Sequence, residues 1–395
     1  MRHVFEFLIR KGATTMIDFT LSPDQAEMQQ MYRKFAEDRV KPLAHEMDEA
    51  EKYDMGLLKE MQSLGFFGIP FSETYGGGGL DIFSYVLCME ELSKVDASTG
   101  ITLSVHTSLC CSSINEFATE EQKQKWLRPL VDGSKIGCFG LTEPNAGSDA
   151  AGARTTADKV GDEYILNGSK IFTTNSGFAD TFLVFALTDK TAGAKGLSAF
   201  LVDRNTPGLT VTPDIPRMGI RAASNAEVVY EDVHIPAENL LGGEGKGFKI
   251  AMKALDGGRI GIAAQSVGIA QGAIELAIKY VKERKQFGKP IAAFQNTQFK
   301  LAEMQTWVDA ARLMTWRAAI AKDNGQDYGS YAAMAKLMAS DVVNNVTRGC
   351  VQLFGGYGYA REYIVERFHR DAKITEIYEG TSEVMKMVIS GGMLR

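Results

Sequence analysis

Apolar residues recur every three or four positions through the first third of the chain, from Ser22 to about Leu130. Residues with this spacing line one face of an α-helix, which can then pack against a core. Two groups show it most clearly: Met28, Met31, Tyr32 and Phe35, and Leu57, Leu58, Met61 and Leu64. The pattern predicts an N-terminal helical domain.

Local signals mark a helix start and a break within this domain. Ser22 precedes Pro23 and has Gln25 three positions later, which is typical of a helix N-cap with proline in the first turn. Four consecutive glycines, Gly76 to Gly79, interrupt the apolar spacing. We therefore expect one helix to begin at Pro23 and a loop to separate two helices at Gly76 to Gly79.

From Lys135 to Leu241 apolar and polar residues alternate in short segments, which Gly, Asn, Asp and Pro separate. This alternation, rich in Val, Thr, Phe and Tyr, is typical of an antiparallel β domain. Asn167 and Gly168 lie between two alternating runs, and this dipeptide favours the positive φ angles of a tight hairpin turn. The sequence predicts a hairpin that turns at these two residues.

Helical spacing returns after Gly242-Gly243 and continues to the end of the chain. From Phe248 to Lys285 it predicts one or two long helices of a bundle. The predicted fold class is thus α+β, with helices, a β domain and a helical bundle in that order. The predicted boundaries are an extra N-terminal segment at 1–15, an α domain at 16–134, a β domain at 135–242 and an α bundle at 243–395.

Composition narrows the class of protein. A chain of 395 residues is long enough for two or three packed units, and 45% hydrophobic with 23% charged residues is typical of globular proteins in water. No uninterrupted apolar run long enough to span a bilayer is visible in the sequence. The net charge of -6 gives no concentrated basic surface for nucleic acid. We predict neither a membrane nor a nucleic-acid partner.

The cysteines and histidines give no sign of a metal site. The five cysteines are odd in number and lack metal-type spacing, which favours buried thiols in a reducing compartment over disulfides. The five histidines are scattered. The first fifteen residues, MRHVFEFLIRKGATT, are basic and apolar, and an upstream start, an added segment or a rudimentary targeting peptide would each explain them.

Two segments could carry chemistry, although the sequence contains neither a G-x-G-x-x-G fingerprint nor a phosphate-binding P-loop. The loop GCFGLTEPNAGSD, Gly137 to Asp149, is rich in small residues, so its backbone N–H groups could approach a planar polar ligand or a phosphate, or it could be a capped connection. Glu379 lies between Tyr378 and Gly380, ahead of a predicted helix start at Thr381 or Ser382. This carboxylate could be a desolvated base of raised pKa or a solvated helix-end residue.

Five sequence blocks together resemble the acyl-CoA dehydrogenase family, and most closely its short-chain, butyryl-CoA type. The resemblance runs from about Phe19 to the C-terminus. The blocks are, in order, GLTEPNAGSD, KIFTTNSG, ERKQFGKP, QLFGGYGY and RDAKITEIYEGTSE. It implies a helical, a β and a four-helix-bundle domain, with FAD in a cleft between the last two and no Rossmann fold.

The resemblance also implies which residues hold FAD. The residues implied to contact the flavin ring, or to line the loop beside it, are Phe139, Leu141, Thr142, Gly147, Ser148, Phe172, Thr173 and Thr174. Thr142 is expected near the redox-active N5. Many relatives carry Trp where this chain has Phe172, so the ring is kept and the indole donor is lost. Contacts to the rest of FAD, in part from a neighbouring subunit of a homotetramer, fall to Arg284, Phe287, Gln295, Gln352, Gly355, Gly356, Thr381 and Glu383.

The implied reaction is α,β-dehydrogenation of an acyl-CoA thioester. Glu379 would remove the Cα proton, while hydride leaves Cβ for the flavin and an electron-transferring flavoprotein takes up the electrons. Some relatives place the base just before the arginine of the block DGGR, where this chain has Gly258, and this leaves Glu379 as the candidate. Substrate contacts are implied for Ser148, Asp256, Arg259, Tyr378 and Gly380.

Other functions are compatible with the predicted fold. The same three-part fold supports medium- and branched-chain dehydrogenases, acyl-CoA oxidases, flavin monooxygenases and nitroalkane oxidases. The monooxygenases lack a base at the position of Glu379, and the nitroalkane oxidases use Asp there. A CoA-binding scaffold without redox activity is a further alternative. The expected location is the cytoplasm of a bacterium, or the mitochondrial matrix if the source is eukaryotic.

Overall fold

The computed structural model describes residues 19–394, so the predicted segment 1–15 lies outside the described residues. The N-terminal part is helical, as predicted. A capping box on Ser22 and Gln25 starts the first helix at Pro23, and the four glycines form a loop ahead of the helix that begins at Ile82. The helices are α1 Pro23–Phe35, α2 Lys41–Ala50, α3 Met55–Ser63, α4 Ile82–Ser93, α5 Ala97–Ser104, α6 Ser112–Phe117, α7 Glu120–Gln122 and α8 Arg128–Val131.

The middle part is an eight-stranded sheet in the order β6-β7-β3-β2-β4-β5-β8, with β1 paired to β4. Its strands are β1 Gly137–Gly140, β2 Thr156–Val160, β3 Glu163–Thr174, β4 Thr181–Leu187, β5 Leu197–Asp203, β6 Leu209–Val211, β7 Asn225–Pro236 and β8 Leu240–Leu241. Most neighbours run antiparallel, but β1 runs parallel to β4, and β2 also meets β4 in parallel, at Thr156 and Leu187. The sheet is therefore mixed, because β1 enters it directly from the helical domain instead of from a hairpin.

The predicted hairpin turn at Asn167-Gly168 is wrong. The turn lies at Gly161-Asp162, between β2 and β3, and Asn167 and Gly168 are inside β3, where its register with β7 shifts. Asn167 donates to Asp232 Oδ1 and accepts from the Asp232 backbone N–H, which satisfies its side chain across the irregularity. Gly168 is needed there for another reason, since a Cβ would lie 2.6 Å from Thr155 Oγ1. A bulge and a turn use the same dipeptide, so local sequence did not separate them.

The C-terminal part contains one helix of 37 residues, α9 Gly247–Glu283, where one or two were predicted. It packs against α10 Gln295–Asp323, α11 Gly329–Phe354 and the shorter α12 Val365–Ala372, and α13 Ser382–Met393 packs on α11. A small hairpin of β9 Lys285–Gln286 and β10 Lys289–Pro290 joins α9 to α10. The helix α13 begins where predicted, with Thr381 as its N-cap.

By length and composition α9 is long and apolar enough to cross a bilayer, although no such segment was predicted from the sequence. Its most apolar window of 18 residues is 83% buried inside the protein, as in the core helix of a bundle. The apolar character of α9 is therefore accounted for by packing against α4, α10 and α11.

The segment from Ala97 to Cys111 connects the three parts of the molecule. The Thr102 carbonyl accepts from Asn175 Nδ2 just after β3, and His106 Nδ1 accepts from the backbone N–H of Gly137 at the start of β1. On its other side the segment packs against α9. Burial lowers the pKa of His106 to about 3, so this imidazole is a neutral acceptor that fixes β1 to the helices.

Candidate active site

The loop after β1 is held by hydrogen bonds from β3. The carbonyl of Leu141 accepts a hydrogen bond from Lys170 Nζ at 3.1 Å, and the carbonyl of Thr142 accepts one from the backbone N–H of Ile171 at 2.8 Å. Phe139, in β1, is buried and packs with Phe185 at a ring-centroid distance of 5.0 Å. The structure thus brings the first and second predicted flavin segments side by side.

A buried ion pair supports this loop. Lys170 is completely buried, and its Nζ lies 2.7 Å from Glu143 Oε1. Glu143 also accepts from the backbone N–H groups of Arg154 and Thr155. Burial lowers the pKa of Lys170, whereas the ammonium and these donors outweigh burial and lower the pKa of Glu143. The pair and its backbone donors therefore favour the ionised carboxylate of Glu143 and link the loop after β1 to β3.

At the end of β3 the chain bulges and turns Phe172 outward. Phe172 has φ 55°, an unusual value for a residue with a Cβ, and its side chain is 57% exposed. The adjacent Thr173 is buried, and its Oγ1 has no hydrogen-bond partner among the described residues. Thr174 Oγ1 accepts from Asn225 Nδ2. An apolar ring beside an unpartnered hydroxyl suits one face and one polar edge of a planar heterocycle such as isoalloxazine.

The remaining predicted residues of this region are accessible. Gly147 and Ser148 are exposed on the loop that follows β1, and nothing within 4 Å would meet a Cβ on Gly147. These two residues leave room for a ligand above the loop.

The predicted adenine-end residues form a second, exposed group at the ends of α9 and α11. Phe287, in the β9–β10 turn, has φ 52° and is 93% exposed. Arg284 lies over the ring of Tyr357, 5.3 Å from its centroid, so the ERKQFGKP and QLFGGYGY blocks meet. The other members, Gln295, Gln352, Gly355 and Gly356, are exposed. An apolar ring left in solvent beside an arginine suits a surface that another subunit covers.

Glu379 has an unusual environment for a carboxylate. The residue as a whole is partly accessible, but both carboxylate oxygens are buried and have no hydrogen-bond partner among the described residues. Its φ is 53° and that of Gly380 is 99°, so two consecutive residues adopt the left-handed conformation just before the N-cap Thr381. For Glu379 this conformation costs roughly 1 kcal/mol or more, which the surrounding contacts must offset.

Burial raises the pKa of Glu379 to about 8, as expected for a desolvated carboxylate. The positive charges of Lys336 and Arg259 act in the opposite direction and limit the rise. Tyr378 also lines this region, and its hydroxyl donates to Gln265 on α9. A carboxyl group with a pKa near neutrality and a free lone pair is suited to take a proton from a bound substrate.

Gly258 makes room for the Glu379 carboxylate. A Cβ on Gly258 would lie 2.1 Å from Glu379 Oε2 and 2.8 Å from Leu109 Cδ2. The position at which some relatives carry their base is thus filled here by the side chain of Glu379. Only one of the two positions can hold the carboxylate in this packing.

Arg259 and Asp256, predicted as substrate contacts, pair with each other. Arg259 Nη1 lies 2.6 Å from Asp256 Oδ1, and Arg259 Nε donates to the carbonyl of Glu379 at 3.5 Å. Arg259 is therefore directed at the backbone of Glu379. Thr381, as N-cap of α13, accepts from Val384 N–H, and Glu383 is exposed in the first turn of that helix.

Sequence reasoning missed three residues that shape the site: Lys336, Glu143 and Lys170. Lys336 is completely buried, and its Nζ donates to the carbonyl of Gly380 at 2.7 Å. A lysine within the apolar run AAMAKLMAS was the available signal. Across residues 19–394, no group of three or more His, Cys, Asp or Glu residues could hold a metal ion.

Family models match almost the whole of the chain. The models described as the N-terminal, middle and C-terminal domains of acyl-CoA dehydrogenase match residues 22–134, 138–233 and 245–394. The short-chain specific acyl-CoA dehydrogenase of Clostridium acetobutylicum is 55% identical over 379 residues, which cover 96% of this chain and 100% of that protein.

Solved structures agree with these models. Butyryl-CoA dehydrogenase from Megasphaera elsdenii has a TM-score of 0.94 at 51% identity and is matched over 96% of this chain and 100% of its own. A chain from a study of the electron transferring flavoprotein of Acidaminococcus fermentans has a TM-score of 0.95 at 53% identity, over the same shares. This protein belongs to the acyl-CoA dehydrogenase family, whose cofactor is FAD.

Proposed function

We propose that this protein is a short-chain acyl-CoA dehydrogenase that interconverts butyryl-CoA and crotonyl-CoA. The observation that carries the proposal is the Glu379 carboxylate, buried and without a hydrogen-bond partner among the described residues. The names of the relatives, short-chain specific and butyryl-CoA dehydrogenase, support the chain length. Glu379 is the proposed base, and Ser148, Asp256, Arg259, Tyr378 and Gly380 are the proposed substrate contacts.

Glu379 acts on the Cα–H bond of the thioester. The carboxylate takes the proton, and the electron pair of that bond becomes part of the new Cα=Cβ double bond. FAD, when bound, accepts the hydride that leaves Cβ. In the described residues the backbone N–H of Glu379 has no backbone acceptor, so it can donate to the thioester carbonyl. That hydrogen bond would stabilise the enolate character that develops as the proton leaves.

The residues around Glu379 also control water and charge. With Leu109 and Gly258 against the carboxylate, little room is left for solvent beside it. A base without its hydration shell gains more from taking up a proton than the same group in water does. Arg259 and Lys336 keep the ionised form accessible near neutral pH by their positive charge.

The pH dependence should differ between the two directions of the reaction. Oxidation of butyryl-CoA needs the deprotonated form of Glu379, which takes up the proton. Because the pKa of Glu379 is raised to about 8, kcat/KM should rise about tenfold per pH unit up to that value. Reduction of crotonyl-CoA needs the protonated form and should fall above the same midpoint. Anaerobic rates in both directions between pH 6 and 10 would measure it, and parallel profiles would contradict the role of Glu379.

Electron exchange and assembly extend the proposal. The proposed electron partner is an electron-transferring flavoprotein, which is supported by the similarity to a chain from the study of the A. fermentans electron transferring flavoprotein. A homotetramer is proposed because Phe287 and Arg284 form an exposed surface that a second subunit and its FAD would cover. The proposed location is the cytoplasm of a bacterial cell, or the mitochondrial matrix in a eukaryote.

Replacing Phe287 by alanine should weaken FAD binding about tenfold without lowering the stability of the single chain. The side chain is 93% exposed, so its own core loses nothing, whereas a ring that stacks on a neighbour's cofactor would lose roughly 1 kcal/mol or more. FAD titration of the apoprotein and sedimentation velocity would check this. Leu64→Ala, which removes another exposed apolar side chain, in the N-terminal domain and 58% accessible, is the control and should leave FAD binding unchanged.

Anaerobic titration with butyryl-CoA and with crotonyl-CoA, followed by the flavin spectrum, tests the function directly. The oxidised protein should bleach with butyryl-CoA, and the reduced protein should regain its yellow colour with crotonyl-CoA. A panel of C4, C8 and branched acyl-CoA thioesters tests chain length, and a preference for C8 would overturn the short-chain assignment. A purified protein that does not take up FAD would overturn the function as a whole.

A further inference from the structure

One face of α11 is hydrogen-bonded to the backbone of the segment that carries Glu379. Lys336 Nζ donates to the carbonyl of Gly380 at 2.7 Å, Ser340 Oγ donates to the carbonyl of Thr375 at 2.9 Å, and Asn344 Nδ2 donates to the carbonyl of Ala372 at 3.1 Å. The three side chains are spaced four residues apart and so lie above one another on the helix. Together they fix the path of the chain from α12 to α13.

Lys336 is the member of this face nearest Glu379, and burying its ammonium group costs free energy. A completely buried ammonium loses its hydration, and a well-packed apolar side chain in its place would often be neutral or stabilising. The only hydrogen bond that Lys336 Nζ makes to the described residues is the one to Gly380. Stability alone therefore gives a poor account of a lysine at this position.

The contact of Lys336 falls on the strained part of the chain. Glu379 and Gly380 are both left-handed, with φ of 53° and 99°. Arg259 Nε bonds to the carbonyl of Glu379, and Lys336 Nζ bonds to the carbonyl of the next residue. Two cations from two different helices thus hold successive carbonyls of one turn, and the direction of the Glu379 side chain depends on that turn.

We infer that Lys336 is a positioning residue, which with Arg259 fixes the two-residue left-handed turn from which the Glu379 carboxylate reaches the Cα proton. The inference rests on the proposed function and deepens it. Lys336 touches neither of the reacting atoms, so it acts through the backbone of Gly380 and through its charge.

The charge gives Lys336 an effect that a purely structural contact would not have. Its ammonium lowers the pKa of Glu379, which burial raises, and burial in turn lowers the pKa of Lys336 to about 8. The charged and titratable groups that face this pair are Arg259 and Asp256 on α9, Tyr85 on α4, Asp341 on α11, and Glu376 and Tyr378 on the segment itself. Without Lys336, Arg259 is the cation that remains to favour the ionised base.

Lys336→Met tests the inference, because it removes the donor and the charge and keeps an unbranched side chain. We expect kcat for butyryl-CoA at pH 7 to fall roughly 10- to 100-fold with KM changed less than about threefold, as for a misplaced base. The midpoint of the pH profile should move upward by about one unit or more, so that part of the activity returns at high pH. Lys322→Met is the matched control. Burial lowers the pKa of Lys322 to about 8 as well, but Lys322 is not among the charges that act on Glu379.

A second readout does not depend on hydride transfer. Acetyl-CoA has an α-proton and no β-carbon, so a positioned base can only exchange its α-hydrogens with solvent. Incubation in D2O followed by mass spectrometry should show exchange with the wild-type holoenzyme and about tenfold slower exchange with Lys336→Met at pH 7. If the wild type itself neither exchanges these hydrogens nor bleaches with butyryl-CoA, the proposed function fails, not the role of Lys336.

Measurements of FAD content and of thermal unfolding show whether each variant folds. If Lys336→Met does not fold, Lys336→Gln, which keeps an amide donor without the charge, carries the test, and it should still show the upward shift of the pH midpoint. An unchanged pH midpoint and exchange rate in a folded variant would overturn the inference. Failure of both variants to fold would also overturn it, because Lys336 would then serve stability.

Discussion

Glu379→Gln should lower the turnover of butyryl-CoA by roughly three or more orders of magnitude while the protein stays yellow. Glutamine has nearly the shape of glutamate but cannot accept the Cα proton. The geometry offers no replacement, because the position on α9 that could hold another base is Gly258. FAD content and acyl-CoA binding should change little, since the carboxylate oxygens make no hydrogen bond to the described residues.

The matched control for this variant is Glu376→Gln, three residues earlier. Glu376 is paired with Lys373, and its carboxylate therefore has a partner that Glu379 lacks. Its replacement should change turnover by less than about threefold. Near-normal bleaching of Glu379→Gln by butyryl-CoA, in stopped-flow experiments under nitrogen, would exclude Glu379 as the base.

The same substitution has a consequence for stability. The pKa of Glu379 is about 8 in the folded protein and near 4.5 in the unfolded chain, so between these values the folded state binds the extra proton. The free energy of unfolding therefore falls as pH rises from about 4.5 to about 8 and is constant with respect to this group above that range. Glu379→Gln removes this loss, and its thermal midpoint should exceed that of the wild type at pH 9 but not at pH 5. In the proposed mechanism, the desolvation that suits Glu379 to act as a base thus lowers the stability of the protein above pH 4.5.

Local sequence signals predicted the elements whose causes are local. The N-cap at Ser22 and the start of α13 at Thr381 are each decided by a few neighbouring residues, and both lie where expected. Asn167-Gly168 shows the limit, because its conformation depends on pairing with β7, about sixty residues away along the chain. The parallel entry of β1 beside β4 is likewise a property of the assembled sheet.

The candidate site divides in the same way. Its segments were recognisable as five blocks, and the structure brings the β1 loop to β3 and the ERKQFGKP block to QLFGGYGY. Lys336 and the Glu143–Lys170 pair were missed, because a charged residue gives no sign in sequence of which backbone carbonyl or carboxylate it will meet. The unpartnered state of Glu379 also depends on helices that are distant in sequence.

Gly258→Ala should reduce turnover by about two orders of magnitude through a single methyl group. The new Cβ would lie 2.1 Å from Glu379 Oε2, well inside van der Waals contact, so the carboxylate must move by an ångström or more. A displacement of this size from the reacting geometry costs roughly a hundredfold in rate. Alanine also favours the helix by up to about 1 kcal/mol, which offsets part of the steric cost, and the folded protein should therefore be recovered for kinetic measurement.

Gly257→Ala, the adjacent position on the same helix, is the matched control. There the new Cβ would lie 2.9 Å from Lys322 Nζ, the end of a side chain that can shift at little cost, and 3.8 Å from the carbonyl oxygen of Ser108, an ordinary van der Waals contact. The control should gain the same helix propensity and keep turnover within about threefold. A double variant, Gly258→Ala with Glu379→Ala, separates the two causes: if the carboxylate is what the methyl group displaces, the stability cost of Gly258→Ala should shrink by roughly 1 kcal/mol or more when it is absent. Equal costs in both backgrounds, or normal turnover of Gly258→Ala, would show that Glu379 does not occupy the space beside Gly258 during catalysis.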